Sequence, residues 1–278
     1  MTAIHSPTTA LLRLLAFLAL TLLVIPPYAL LLGAGQIRLC QRIGRYYWRA
    51  VLWAIGIEVV VRGGPSPDRP TLFVANHASY LDIAVLGSLI ETAFVAKKEV
   101  SEWPGFGFLA KLGRTVFVDR RPRKSLDQRE EMKSRLNGMG DSLVLFPEGT
   151  SSDGNRVLPF KSALFSVAES IAPDGRHLPV QPVSLAYTRL DGMPMGRSWR
   201  SFFSWYGDME LVPHLWVALG LGRATVEVQF HPVVSLDRFG SRKALADHCH
   251  DVVRNGVVRA NAGRLPPPTA AAEGVAVG

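Results

Sequence analysis

The sequence predicts an α/β fold with a single, largely parallel sheet, preceded by an N-terminal hydrophobic membrane anchor. After residue 57, short apolar runs rich in Val and Phe alternate with segments of helical periodicity, which is the pattern of a parallel sheet flanked by helices. Before it, an uncharged apolar stretch leads into a basic, aromatic segment. We therefore divide the chain into an anchor with an interfacial helix (1–57), one domain (58–263) and a disordered tail rich in Pro, Ala and Gly (264–278).

The anchor prediction rests on residues 14–34, which carry no charge. As a helix rising 1.5 Å per residue, this stretch would just cross a hydrocarbon core of about 30 Å. Pro26 and Pro27 interrupt the apolar pattern, so a kinked span and a re-entrant hairpin both fit. A cleaved signal peptide is the other alternative, and the stretch is long for one.

The segment after the anchor combines arginines with aromatic and aliphatic residues. Four arginines follow helical spacing and would form a basic stripe beside an apolar one: Arg38, Arg42, Arg45 and Arg49. Such a helix suits the interface of a membrane with anionic headgroups. Arginines just after an apolar stretch also favour a cytoplasmic location for its C-terminal side.

Composition limits the partners of the chain. Its 278 residues are 48% hydrophobic, with a formal charge of +8, which suits an anionic bilayer surface or an anionic substrate. The basic residues are dispersed and form no nucleic-acid-binding motif, so we expect no nucleic acid partner. Two cysteines, Cys40 and Cys249, predict reduced thiols in a cytosol-facing protein.

Seven apolar runs predict buried strands, each bounded by Gly, Pro or charge. They are EVVVRG, TLFVAN, TAFVAK, RTVFVDR, DSLVLFPEG, LPVQPVSLAY and TVEVQFH. Helical patterns occupy residues 80–88, 106–112, 125–139, 162–171 and 241–261.

Polar residues in the apolar run FVANHASYLDIAVLGS are the first candidate site. The strand ends at Asn76, which places His77 where a strand passes into a helix, and Asp82 follows about one helical turn later. A carboxylate beside an imidazole holds one tautomer and stabilises the cation, so this pair can act as a general base toward a hydroxyl. A buried His satisfied by a local carboxylate is the alternative. A hydrolase triad is disfavoured because there is no G-x-S-x-G motif, and the stretch has too few ligands for a metal.

Two further constellations come at strand ends. In LVLFPEGTSSDG, Glu148 opens a turn in which Gly149 and the next N–H groups can approach an anion. In the other, Lys97 and Arg120 end two predicted strands, where cations suit recognition of a phosphate or a carboxylate. Taken alone, the first is most often only a turn, and the second can be ordinary surface charge.

In combination, these sequence blocks indicate a protein family more specifically than any one of them does alone. NHASYLD, GRTVFVDR, FPEGTSSDG and LPVQPVSL occur in this order between Thr71 and Tyr187. This arrangement resembles the lysophosphatidic acid acyltransferase group of the glycerolipid acyltransferases. The resemblance implies that the α/β domain is an acyltransferase domain, located at the bacterial inner membrane and facing the cytoplasm.

The resemblance also implies a mechanism. His77 would be the base and Asp82 its partner, and the free hydroxyl of lysophosphatidate would attack the thioester of acyl-CoA or acyl carrier protein directly, without an acyl-enzyme. It implies no metal and no cofactor apart from the acyl donor. The residues expected to bind the substrate are Lys97, Arg120, Glu148, Gly149, Thr150 and Lys161.

The acceptor has an alternative. Relatives of this group acylate lyso-ornithine lipid, and Arg and Lys would bind the carboxylate of an ornithine headgroup as well as a phosphate. A non-catalytic lipid-binding module is a third hypothesis, but such a module is expected to have lost the His or the Asp of the first block, and this chain keeps both.

Overall fold

The computed structural model describes residues 5–118, 132, 134–138, 140–171 and 175–267. It begins with two helices, α1 (Pro7–Gly33) and α2 (Ile37–Ile55). Pro26 and Pro27 lie within α1 and do not end it. The chain reverses after Gly33, not at the prolines. Helix α2 ends at Gly56, whose φ of +76° is a left-handed conformation that glycine adopts at little cost.

The α/β domain comes directly after α2. Its first half contains β1 (Ile57–Arg62), β2 (Leu72–Ala75), α3 (Leu81–Leu89), β3 (Ala93–Lys97), α4 (Phe106–Leu112), β4 (Val116–Val118) and β5 (Leu143–Leu145). Its second half contains β6 (Val180–Leu190), β7 (Met193–Pro194), α5 (Arg197–Arg200), α6 (Leu211–Gly220), β8 (Ala224–Phe230), α7 (Leu236–Phe239) and α8 (Arg242–Asn261). Shorter turns of 3₁₀ helix occur at Lys98–Glu102 and Ser162–Glu169, and a π-helical turn at Ser134–Gly138.

The eight strands found in the described residues form one sheet in the order β1-β8-β6-β2-β5-β3-β4, with β7 on β6. Strand β6 runs antiparallel to β7 and β8, and the other neighbours are parallel. The predicted α/β fold with a largely parallel sheet is therefore confirmed, and each of the seven apolar runs contains a strand. Most of the helix predicted at 125–139 lies outside the described residues. The one predicted at 162–171 is 3₁₀ helix over Ser162–Glu169.

The sheet separates two layers of apolar side chains. Along β2, Phe73 and Ala75 face the core beneath α1, α2, α3 and α6, whereas Leu72 and Val74 face the core beneath α8. This alternation is the period of two that a strand imposes on its side chains. The candidate site lies between these layers, at the carboxyl end of β2.

Helices α1 and α2 form an antiparallel hairpin that packs on the domain. The hydroxyls of Thr21 and Tyr47 lie 2.8 Å apart across the hairpin, and Arg49 Nε donates to the carbonyl of Ser88 on α3 at 3.0 Å. In the N-terminal half of α1, the Arg13 guanidinium donates to the carbonyl of Leu221, next to α6, at 2.7 Å. Helix α1 therefore lies along the domain. By length and composition it is the helix of the described chain that can cross a membrane.

The outward surface of the hairpin is apolar on α1 and basic on α2. Large side chains of α1 are mostly exposed: Leu12, Leu22, Leu23 and Leu30. The predicted arginine stripe divides, because α3 covers part of α2. Arg38 and Arg42 are exposed, whereas Arg45 pairs with Glu91 at 3.4 Å and Arg49 binds the carbonyl described above. Two of the four arginines thus bind the domain, which differs from the sequence expectation.

Candidate active site

The two residues singled out in the first block lie together where β2 passes into α3. His77 Nδ1 lies 2.9 Å from Asp82 Oδ2. The Asp82 side chain is fully buried, whereas the His77 side chain is 20% exposed. An Nδ1–H directed at the carboxylate leaves the lone pair on Nε2, which is the tautomer that a general base toward an incoming hydroxyl needs.

The Asp82 carboxylate is surrounded by hydrogen-bond donors. Its Oδ2 also accepts the backbone N–H groups of Ala78 at 2.7 Å and Ser79 at 2.9 Å. Its Oδ1 accepts the phenol of Tyr187 at 2.9 Å. Because every one of these groups donates a hydrogen bond to the buried carboxylate, together they stabilise its negative charge beside the imidazole.

The turn after β5 holds His77 from the other side. The His77 N–H donates to Glu148 Oε1 at 2.7 Å, and its carbonyl accepts the N–H of Ser152 at 2.9 Å. The imidazole stacks on the Phe146 ring with centroids 4.2 Å apart. The first and third sequence blocks therefore meet because β2 and β5 are adjacent parallel strands, whose carboxyl ends share one edge of the sheet.

Glu148 is buried, with 2% of its surface exposed. Its second oxygen accepts the N–H of Leu158 at 2.7 Å, so both carboxylate oxygens contact the backbone. Burial raises the pKa of Glu148 to about 8, the two N–H donors oppose the shift, and the charge of Asp82 adds to it. These contacts fix the backbone of His77. Substrate binding by Glu148 stays a prediction.

The other expected binding residues line the same edge. Gly149 has φ +67°, and a β-carbon built on it would lie 2.7 Å from Lys161 Nζ, so the ammonium sits directly against the turn. Thr150 and Lys161 are exposed, and Lys97 ends the neighbouring strand β3 half-buried. Arg120 lies outside the described residues.

Asn76 is a supporting residue whose partner is distant in sequence. Its side-chain amide donates to the carbonyl of Leu185 at 2.9 Å and accepts the Leu185 N–H at 2.8 Å. These two bonds tie the end of β2 to β6. A buried amide at a strand end was the signal available in the sequence, but the sequence does not show which backbone group it binds.

The segment after α5 closes over the first block and was not assigned from sequence. The Trp205 N–H donates to the carbonyl of Ala78 at 2.8 Å, and the Ser151 hydroxyl donates to the carbonyl of Trp205. The indole packs edge-on against Tyr80 and Trp103, with centroids 6.1 and 5.5 Å away. Three aromatic side chains therefore pack together beside the candidate pair. Among the described residues, no cluster of three His, Cys, Asp or Glu side chains is arranged to hold a metal.

Comparison with known proteins places this arrangement in a family. The Acyltransferase family model matches residues 57–186. The chain is 44% identical over 230 residues to the lyso-ornithine lipid O-acyltransferase of Brucella abortus, covering 82% of this chain and 86% of that protein. It is 31% identical over 202 residues to the 1-acyl-sn-glycerol-3-phosphate acyltransferase of Neisseria gonorrhoeae, covering 72% and 74%.

A solved structure shares the fold. The crystal structure of the 1-acyl-sn-glycerophosphate acyltransferase PlsC from Thermotoga maritima superposes with a TM-score of 0.61 and 22% identity, covering 89% of this chain and 95% of that one. At that identity the similarity concerns the fold alone. The relatives named above are similar over most of their own length. This chain therefore belongs to the acyltransferase family and is an acyltransferase.

Proposed function

We propose that the chain moves a fatty acyl group from an acyl thioester to the free hydroxyl of lyso-ornithine lipid, giving ornithine lipid. The choice of this acceptor rests on sequence similarity to relatives that are named for it. Four relatives at 34–44% identity are named for that acceptor, whereas relatives named for 1-acyl-sn-glycerol-3-phosphate are 31–33% identical. This reverses the order of the two acceptors expected from the sequence.

The charges at the sheet edge are compatible with this acceptor. An ornithine headgroup carries a carboxylate, and an ammonium such as that of Lys161 or Lys97 can pair with it as a point charge. The same cations can pair with a phosphate. Lysophosphatidate is therefore the second candidate, supported by the relatives named for it and by the resemblance in the sequence blocks.

His77 and Asp82 supply the chemistry. In the proposed step, Nε2 of His77 removes the proton of the acceptor hydroxyl as its oxygen attacks the thioester carbonyl. The tetrahedral intermediate then expels the thiolate, which takes the proton from the imidazolium. Asp82 holds Nδ1–H and stabilises the cation between these two transfers. The ester forms directly on the acceptor, with acyl-CoA or acyl carrier protein as donor.

The membrane hairpin would bring the acceptor to this site. The exposed leucines of α1 and the exposed arginines of α2 lie on the layer that also contains α3, the helix of Asp82. A hairpin that rests on an anionic bilayer would hold the domain where its acceptor already resides. We place the chain at the bacterial inner membrane, with its domain facing the cytoplasm.

The test is made in cells that produce lyso-ornithine lipid but do not acylate it. Expression of the chain should produce ornithine lipid, detected by mass spectrometry of extracted lipids. His77→Ala should abolish the product, and Asp82→Asn should reduce it at least 100-fold because the imidazole loses its tautomer lock. Both variants should reach the membrane in normal amounts. Growth of the phosphatidate pool without ornithine lipid would instead support the second acceptor.

A further inference from the structure

Tyr187 lies outside the sequence blocks to which a site role was assigned, yet it contacts the candidate pair. It lies on β6, which neighbours β2 in the sheet. Its phenol donates to Asp82 Oδ1 at 2.9 Å, and 2% of the residue is exposed. Its ring stacks on Phe203 with an interplanar angle of 9° and centroids 5.8 Å apart. The phenol is therefore held in place by packing as well as by the carboxylate.

The two oxygens of Asp82 are supported unequally. Oδ2 has three partners, namely the imidazole and the N–H groups of Ala78 and Ser79, and these come from its own chain segment. Oδ1 has the phenol of Tyr187, from a strand more than a hundred residues away in sequence. Burial and the charge of Asp82 raise the pKa of Tyr187 well above its usual range, so the phenol stays protonated and acts as a donor.

We propose that Tyr187 is a positioning residue, which fixes the rotation of the Asp82 carboxylate so that Oδ2 stays on the imidazole. This proposal rests on the proposed roles of His77 and Asp82. A carboxylate can turn about the bond to its β-carbon, and a donor on the far oxygen holds it against that rotation. The Nδ1–H tautomer of His77 depends on that orientation.

Tyr187→Phe is the sharpest variant, because it keeps the ring and its stacking on Phe203 and removes the hydroxyl alone. We expect kcat for acyl transfer to fall about tenfold, with the KM values of donor and acceptor unchanged, because the phenol acts on the base and not on substrate binding. Tyr47→Phe is the matched control. It also removes a phenol that is hydrogen-bonded, to Thr21 in the hairpin, and it should keep the wild-type kcat.

A double variant distinguishes a positioning role of Tyr187 toward Asp82 from a general packing role. In Asp82→Asn the tautomer lock is already lost, so adding Tyr187→Phe should lower the residual rate less than twofold. A further tenfold loss in that background, an unchanged kcat in the single variant, or a rise in KM with kcat retained would each overturn the positioning role. Wild-type membranes are assayed in the same preparation. If they transfer to neither acceptor, both proposals are contradicted.

Discussion

The polar residues of the first block lie in an apolar strand and helix because each has a partner there. Asn76 binds the backbone of β6, Asp82 receives the imidazole and three other donors, and His77 is held by Glu148 through its own N–H. A buried polar group without such partners would cost about 1–3 kcal/mol. The cost is avoided here because partners come from β6 and from the turns after β2 and β5, and these contacts also fix the orientation of His77.

Glu148 should make stability depend on pH. Its pKa in the fold is about 8, above the ordinary 4.5, so the fold favours the protonated form. The stabilising effect of that proton is fully present below pH 4.5 and is lost as the pH rises toward 8. Glu148→Gln has no such proton. The Tm of wild type minus that of Glu148→Gln should therefore shrink by several degrees between pH 5 and pH 8.

The other titrating groups are the same in both proteins, so their contributions to the pH dependence of Tm cancel in the difference. Thermal unfolding of the two purified proteins in one detergent, at matched ionic strength, measures the difference. A gap that stays constant, or widens as the pH rises, would mean that Glu148 is ionised in the fold throughout this range.

For single residues, the sequence predicted the chemistry and the local contact, but not the partners that are distant in sequence. His77 and Asp82 are five residues apart, so a local strand-to-helix turn was enough to predict their contact. Tyr187 reaches the same carboxylate from a strand whose neighbours are set by the sheet order. A tyrosine in a buried strand has no local feature that distinguishes a site residue from a core residue.

Among the elements, α3 links His77 and Asp82 to the hairpin of α1 and α2. Gly87 of α3 lies against the indole of Trp48 on α2, and a β-carbon there would come within 2.5 Å of the ring. At the other interface of the hairpin, a β-carbon on Gly44 would have its nearest neighbour, the ring of Tyr28, at 3.9 Å. The two glycines therefore differ in whether they are needed for close packing.

Gly87→Ala should destabilise the protein by about 1–3 kcal/mol, because the added methyl forces the indole from a packed position. Gly44→Ala is the matched control, and it should be neutral or stabilise by up to about 1 kcal/mol through helix propensity. Unfolding in the same detergent, followed by intrinsic tryptophan fluorescence, measures both. Equal stability of the two variants would contradict the α2–α3 packing described here.

The order of the elements was largely predictable because strands and helices alternate along the chain. Two of the features that were not predicted concern helix type and strand direction. The run 162–171 has helical periodicity but forms 3₁₀ helix over Ser162–Glu169, and β6 is antiparallel to β8. Strand direction depends on how a connection crosses the sheet, and an apolar run carries the same pattern in either direction.

For the whole molecule, the hairpin packed along the domain is the feature that relates fold to location. Its α1 face is apolar, and Arg38 and Arg42 are exposed on α2, while the opposite layer contains α8. The sequence predicted a basic stripe of four arginines because helical spacing alone cannot show which side of a helix the domain will cover. The two exposed arginines would contribute less to electrostatic binding of an anionic membrane than the predicted four.

Replacing Arg38 and Arg42 together by Gln should weaken binding to anionic vesicles by roughly 30-fold, since each basic residue near such a surface contributes about 1 kcal/mol. Binding to vesicles of neutral lipid should not change. Arg242→Gln with Arg254→Gln is the control, because both are exposed on α8 in the opposite layer. Cosedimentation at two salt concentrations measures the effect. An equal loss in the control pair would show that the hairpin does not face the membrane.

The most direct measurement is a competition between the two acceptors. Vesicles containing equal amounts of lyso-ornithine lipid and lysophosphatidate are supplied with one acyl thioester and the purified chain, and both products are quantified by mass spectrometry. We expect ornithine lipid as the main product and loss of all transfer in His77→Ala. Phosphatidate as the main product, or more than a few per cent of the rate in His77→Ala, would contradict the proposed acceptor or the proposed base.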